Sequence, residues 1–527
     1  AFHNDWFNER APQPHWFYDI VTYIGDKSGH LPGVYFAYFL VTLAVFGVGI
    51  SFLASYWLPK SRRPLAIGAA LLAAAGPKFV FGQFLPLGSE ALPNLLGGAL
   101  AFAAAAAIVS RRHRAAVVFA LSAGLVHVQH GTVVAGILFL VAILSRDPKA
   151  IRLWYAGTAG ALLLLTGIVS STRGLVADNK DMIEICENAS PGHCNANVWI
   201  WPVVRDGIII LLLAAAITVL RRREWRVLVP VLAIPAAISI VGFLADRHDV
   251  AFFGELAQRV FPYRVNSVVV PFAPWLAVLL VGAPVSKLWH ALVRAAGAIW
   301  VSGFYLSAPN SITAAAIVEY SHLRQLGWIV GALLATPMLV DAASKYIASV
   351  PIRKVATSWA VSAVLAVVAC VGVINLGFSR VEPGPLHMGI RPGDGQYAFG
   401  QAIGDALPVD AVLAHPPDLT FIRLFTRRAV VGNCRAIPYG GDPWTEYKER
   451  MAALGAPGPY YACYRSGYEA LTADDVYTLR DRYGATHILL MGVTDPKIAF
   501  AEAENWDLVW TSGPGAEPWW VYEIPPR

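Results

Sequence analysis

Acids, histidines and arginines that could do chemistry fall at the edges of apolar runs. The opening stretch AFHNDWFNERAPQPHWFYD carries Asp5 and Asp19 among Trp6, Phe7, Trp16, Phe17 and Tyr18. A carboxylate held among interfacial aromatics can act as a general base or help hold a divalent metal beside a lipid-linked substrate. The plainer alternative is an interfacial anchor with solvated charges, and metal use stays open. A second cluster comprises Lys78, inside an otherwise apolar run, with Glu90, His127 and His130. The VHVQHG segment puts its two histidines three apart, on one face if the segment is helical, where they could meet a metal or an anionic group. The competing reading is a pair of satisfied interface residues. A third cluster, DRHDVAFFGELAQRVFPYR, offers Arg259 and Arg264 just before an apolar run. Guanidinium forks match phosphate oxygens, so these two suit a phosphate at a membrane surface; an interfacial helix is the alternative.

The elements that must position these groups follow from composition. The chain has 527 residues, 56% hydrophobic and 14% charged, with a net charge of +6, and its mean hydropathy is +0.52. A soluble globular chain carries about 25% charge. The composition therefore predicts an α-helical polytopic membrane bundle, with about 12 apolar runs of helical length between residues 33 and 378. Basic residues sit in short alternate breaks, such as Arg111, Arg112 and Arg114, or Arg221, Arg222 and Arg223. That alternation puts the basic loops in the cytoplasm and the long loops outside. No basic stripe interleaved with aromatics exists, so nucleic acid is not an expected partner; membrane lipids are.

Three regions are expected: an external amphipathic segment 1–32, a transmembrane helical domain 33–378, and an extracytoplasmic α/β domain 379–527. In the last, strand-like runs (AVLAH, AVVGNC, THILLMG, LVWTS, WWVYEI) alternate with helical ones. Thr472 with Asp475 predicts a capping box for the helix ending near Gly484. No GxGxxG or P-loop marks a nucleotide site. Cys186 and Cys194, and Cys434 and Cys463, lie in segments expected outside, where disulfides form; zinc is the competing reading, and the pairing is open. The chain opens at Ala1 without a signal peptide, so processing or a further upstream segment is expected.

The layout of an aromatic, acid-bearing external segment, many spans and a terminal α/β domain resembles the GT-C superfamily of membrane glycosyltransferases. That superfamily includes the catalytic subunit of oligosaccharyltransferase, which commonly has thirteen spans. Finer features, GSEALPNLLGGAL, AGLVHVQHG, VFPYR and DAVLAHPPDLTFIRLFTRRAVVGNCRAIPY, resemble a poorly characterised bacterial branch. The resemblance implies a bacterial plasma-membrane enzyme that moves a sugar from a polyprenyl-phosphate-linked donor to an extracytoplasmic glycan, lipid or protein. Asp5 or Asp19 would supply the acid, Arg259 or Arg264 the phosphate contact, and His127 or His130 would line the cavity. The alternative is a non-catalytic subunit on such a scaffold, assembled with another membrane protein complex. No sequon-reading WWDYG motif is present.

Overall fold

The computed structural model describes residues 5–6, 16–57, 60, 63, 79–80, 83–84, 93–172, 224–247, 395–434, 438, 442–456, 465–492, 496–512 and 518–527. These fall into two units. One contains Asp5, Trp6 and the residues from 395 onward; the other contains the helices between Trp16 and Val169 together with that near residue 230.

In the helical unit, α1 (Trp16–Lys27) and α2 (Leu31–Trp57) are followed by a short hairpin of β1 (Phe79–Val80) and β2 (Gln83–Phe84). Next come α3 (Pro93–Val109), α4 (His113–Val126), α5 (Val128–Leu144), α6 (Lys149–Thr172) and α7 (Trp225–Arg247). Helix α3 is the hub, packed by α2, α4, α5 and α7. Its run from Ala101 to Ala107 is wholly buried. Small side chains let neighbouring backbones approach closely. Gly49 of α2 shows this: a methyl group there would press into the Phe102 ring at 2.8 Å.

The outer helices keep apolar residues uncovered in helical stripes. In α4 these are Val118, Leu121 and Leu125; in α6 they include Leu153, Leu164 and Ile168.

The expectation of a dozen-span polytopic bundle is corrected here. Among the described residues, two helices are long and apolar enough to cross a membrane, Leu31–Tyr56 and Lys149–Val169. Helices α3, α4 and α5 have 17, 14 and 17 residues. At 1.5 Å per residue they reach about 21–25 Å, short of a hydrocarbon core of about 30 Å. The reason is local: the apolar run is broken at Arg111, where the backbone turns through a positive φ of 57°, and again at His127. Of the expected span 64–82, Phe79–Val80 form β1 and the rest lies outside the described residues, as do 206–220 and 265–377.

The second unit is an α/β layer structure. Helix α8 (Gly395–Ala406) leads to β3 (Val412–Ala414), α9 (Ile422–Thr426), β4 (Ala429–Val430), α10 (Asp442–Ala453), α11 (Arg465–Glu469) and α12 (Ala473–Tyr483). Strand β5 (His487–Met491), α13 (Pro496–Ala503), β6 (Leu508–Thr511) and β7 (Trp519–Glu523) complete it. The sheet order is β4-β3-β5-β7-β6. β4, β3 and β5 run parallel, whereas β7 is antiparallel to both β5 and β6. Because both faces are covered, the parallel strands read as unbroken apolar runs. One core gathers Val412, Ala414, Ile488 and Leu490 with Tyr468, Leu479 and Trp506; the other gathers Leu413, Val430, Leu489 and Val521 with Ile403 and Ile422.

Helix α12 begins with a complete capping box, Thr472 and Asp475 each bonding the other's backbone N–H, and ends at Gly484 with φ 71°. Only a residue that tolerates the left-handed region stops a helix this way at low cost. Thr472→Ala is expected to lower the stability of the α/β unit by about 1 kcal/mol, read as a shift in the denaturant midpoint without a change in slope.

Candidate functional site

Asp5 and Trp6 belong to the α/β unit and are held there. The Asp5 carboxylate is fully buried. It accepts two hydrogen bonds from Arg423 of α9, from Nε at 2.8 Å and from Nη2 at 2.9 Å. Such a fork fixes both partners in one plane. Trp6, 5% exposed, lays its ring 4.8 Å from the Arg450 guanidinium carbon and 6.4 Å from the Tyr447 ring, both on α10. Arg450 is itself buried. It is shared between Trp6 and Tyr483 as cation–π partners, bonds Glu446 one helical turn earlier at 2.7 Å, and donates to the Val431 carbonyl. Two adjacent residues are thus clamped by two arginines, of which Arg450 also bonds Glu446 and the Val431 carbonyl. An acid in this position cannot reach a substrate proton without breaking an ion pair whose carboxylate is fully buried.

Asp19 lies elsewhere, in the first turn of α1. It is half-buried, and burial pushes its carboxyl above the ordinary aspartate range. Beside it Tyr18 stacks on Tyr35, with ring centroids 5.6 Å apart.

His127 and His130 do meet, Nδ1 to Nδ1 at 2.9 Å. His127 is the extended junction residue between α4 and α5 (φ −152°, ψ 103°), so the pair closes a helix break and does not line one continuous face. The contact uses the Nδ1 lone pair of one ring, which removes it as a ligand. Gly97 of α3 allows the approach, since a methyl group there would meet His127 Cβ at 2.6 Å. Among the described residues no group of three or more His, Cys, Asp or Glu is placed to hold a metal ion. Arg259, Arg264, Lys78 and Glu90 lie outside the described residues.

Sequence reasoning did not single out the polar cluster at the carboxyl ends of β3 and β5. His415, immediately after β3, is completely buried. Its Nδ1 donates to the Pro416 carbonyl at 2.7 Å, and its Nε2 has no partner. Asp418 Oδ2 accepts from Arg465 Nη2 at 3.0 Å, while Oδ1 is buried and unpaired. The usable signal was the AHPPD run at the end of an apolar strand. Cys434, at the end of the β4 loop, is disulfide-bonded; the other cysteines lie outside the described residues.

A family profile matches residues 398–454, a domain of unknown function named DUF6798. That segment holds Arg423, Tyr447 and Arg450 of the clamp, together with His415 and Asp418. A comparison with curated proteins finds no match.

Burial lowers the His415 imidazole to about 4 and also pushes His487 down. The His415 ring is neutral in the folded unit down to about that pH, whereas the unfolded chain binds a proton there near pH 6.5. Its contribution is therefore complete above about pH 6.5 and is lost as pH falls toward 4. Denaturant unfolding at successive pH values should show that decline, at most about 3 kcal/mol from His415. In a His415→Gln variant the slope over this window should be shallower.

Proposed function

We propose that this chain is a non-catalytic subunit anchored in a plasma membrane, which assembles with another membrane protein complex and carries its α/β unit on the non-cytoplasmic side. The observation that carries this reading is the Asp5–Arg423 pair, in which the carboxylate is fully buried and the guanidinium mostly so. One of the two acids expected from sequence to do chemistry is a buried partner of Arg423.

Three further features support it. Helices Leu31–Tyr56 and Lys149–Val169 have the length and apolarity of membrane spans. A core helix of a soluble protein would have both faces covered, but Phe36, Leu40, Leu164 and Ile168 are exposed. Helix α1 leaves Trp16, Ile20, Tyr23 and Ile24 uncovered at helical spacing, the pattern of a helix lying at a lipid headgroup boundary. The Cys434 disulfide fits an oxidising compartment.

A second reading, transfer of a sugar from a polyprenyl-phosphate-linked donor, is favoured by one observation. Asp19 is half-buried with its carboxyl pushed up by burial, the direction expected of an acid–base group. In that reading Asp19 is the base and Asp5 is structural.

The test uses the full gene product, with whatever is encoded upstream of Ala1. Sugar transfer from polyprenyl-phosphate donors is assayed for wild type, Asp5→Asn and Asp19→Asn. The assembly reading predicts no transfer by any of the three and a stoichiometric complex with a defined membrane partner on native gels. Transfer by wild type that is lost in Asp19→Asn, with folding intact, would replace it with the second reading.

A further inference from the structure

The charges of helices α3 to α6 are segregated. All six cations of residues 93–172, Arg111, Arg112, Arg114, Arg146, Lys149 and Arg152, fall at two turns, as does the one acid of that stretch, Asp147. The turns are those joining α3 to α4 and α5 to α6. The fold brings them together. Arg111 Nη1 donates to Asp147 Oδ1 at 2.5 Å, and the His113 ring meets the Tyr155 hydroxyl at 2.8 Å. The end of α2 joins them: Arg112 Nη2 donates to Ser55 Oγ at 3.4 Å, with its guanidinium carbon 4.8 Å from the Phe52 ring. The ends of α2, α3 and α5 and the starts of α4 and α6 therefore share one face of the helical unit, and that face is rich in cations.

Half of these cations are already engaged. Arg111 is neutralised by Asp147, Arg112 is tied to α2, and Arg152 Nε closes the α5–α6 turn by donating to the Ala142 carbonyl at 2.6 Å. Arg114, Arg146 and Lys149 are exposed. Among the described residues none of the three forms an ion pair or a hydrogen bond. Unpaired like charges gathered on one face repel one another, and an anion relieves that repulsion.

The surroundings decide which anion. About one turn along the helix from each free cation lies an exposed apolar side chain: Val118 after Arg114, Leu153 after Lys149, and Ile143 before Arg146. Trp154, next to Leu153, is exposed as well. A free anion or an acidic peptide makes no use of such an apolar rim, whereas a lipid, with its phosphate above its acyl chains, uses both. Position agrees. The two helices long and apolar enough to cross a membrane each have an end here, α2 finishing at Trp57 and α6 starting at Lys149. Indole rings favour the headgroup level.

We propose that this face binds the headgroup of an acidic diacyl phospholipid, in the leaflet that the charge rule makes cytoplasmic. Arg114, Arg146 and Lys149 hold the phosphate, Trp154 lies at headgroup depth, and the acyl chains run along the exposed apolar residues of α4, α5 and α6. The proposal rests on the membrane anchoring in the reading above, and not on its assembly partner or on the absence of catalysis.

The full chain is delipidated in an uncharged detergent and titrated with phosphatidylglycerol, cardiolipin, phosphatidylcholine and inorganic phosphate, with bound molecules counted by native mass spectrometry. The two acidic lipids should bind more tightly than phosphatidylcholine. Arg114→Gln, Arg146→Gln and Lys149→Gln should each weaken acidic-lipid binding about fivefold, and the triple variant on the order of a hundredfold. Arg114→Lys, which keeps the charge, should retain most of the affinity, and Lys27→Gln in α1 should leave it unchanged. The unfolding midpoint of each variant separates loss of the site from loss of the fold. Equal binding of acidic and neutral lipids overturns the proposal, as does an acidic preference that survives in the folded triple variant. Inorganic phosphate binding as tightly as the acidic lipids overturns it in favour of a free-anion site. Release of the chain from membranes by alkaline carbonate would overturn the anchoring and this proposal together, whereas an embedded chain without lipid preference overturns the proposal alone.

Discussion

A buried carboxylate costs several kcal/mol to desolvate, and the α/β unit buries one that is distant in sequence from its partner. Arg423 meets Asp5 there with two well-aligned N–H groups. That pairing constrains its surroundings. Arg423 projects from a five-residue helix between β3 and β4, so the position of α9 on the sheet sets where Asp5 can sit. The next residue, Trp6, is then delivered to the face of α10, where Arg450 is already oriented by Glu446 and by the Val431 carbonyl. The ion pair and the cation–π contact therefore act on adjacent residues from two different helices, and each limits the freedom of the other.

The helical unit is organised by a different constraint. Its central helix buries a run of alanines, Ala101 and Ala103 to Ala107, flanked by the larger Leu96, Leu100, Phe102, Ile108 and Val109. Close backbone approach then holds the helices together, as where Gly124 and Gly131 meet across the His127 turn. Phe46, Ile50, Ile137, Leu138 and Tyr155 fill the interior, and α2, α4, α5 and α6 carry further apolar residues on outward stripes. Helices that are apolar on both their inward and outward faces suit a lipid surround better than water.

What was legible in the sequence depended on how local its cause is. The runs AVLAH, AVVGNC, THILLMG, LVWTS and WWVYEI each contain a strand, because apolar and β-branched residues bounded by turn formers specify extended backbone over a few residues. The Thr472–Asp475 box was equally local and is present. Span number was not legible in this way. Alanine- and glycine-rich runs such as Pro93–Val109 read alike as membrane spans and as shorter packed helices, and the arginine and histidine breaks decide their length. The role of Asp5 was the least legible, since its partner lies 418 residues away and no local pattern announces the contact. Nor did the histidine pair read correctly as a shared face, because His127 takes an extended conformation that residue spacing alone does not reveal.

The central claim is that Asp5 acts as the structural partner of Arg423. A double-mutant cycle tests it most directly: the full chain and its Asp5→Asn, Arg423→Gln and doubly substituted forms are unfolded in denaturant, followed by a probe in the α/β unit. Each single substitution is expected to destabilise the unit by about 3 kcal/mol, with a coupling of at least about 1.5 kcal/mol, because removing one partner strands the other. Additive effects with negligible coupling would contradict it, and would return Asp5 to the role of an acid held ready for chemistry.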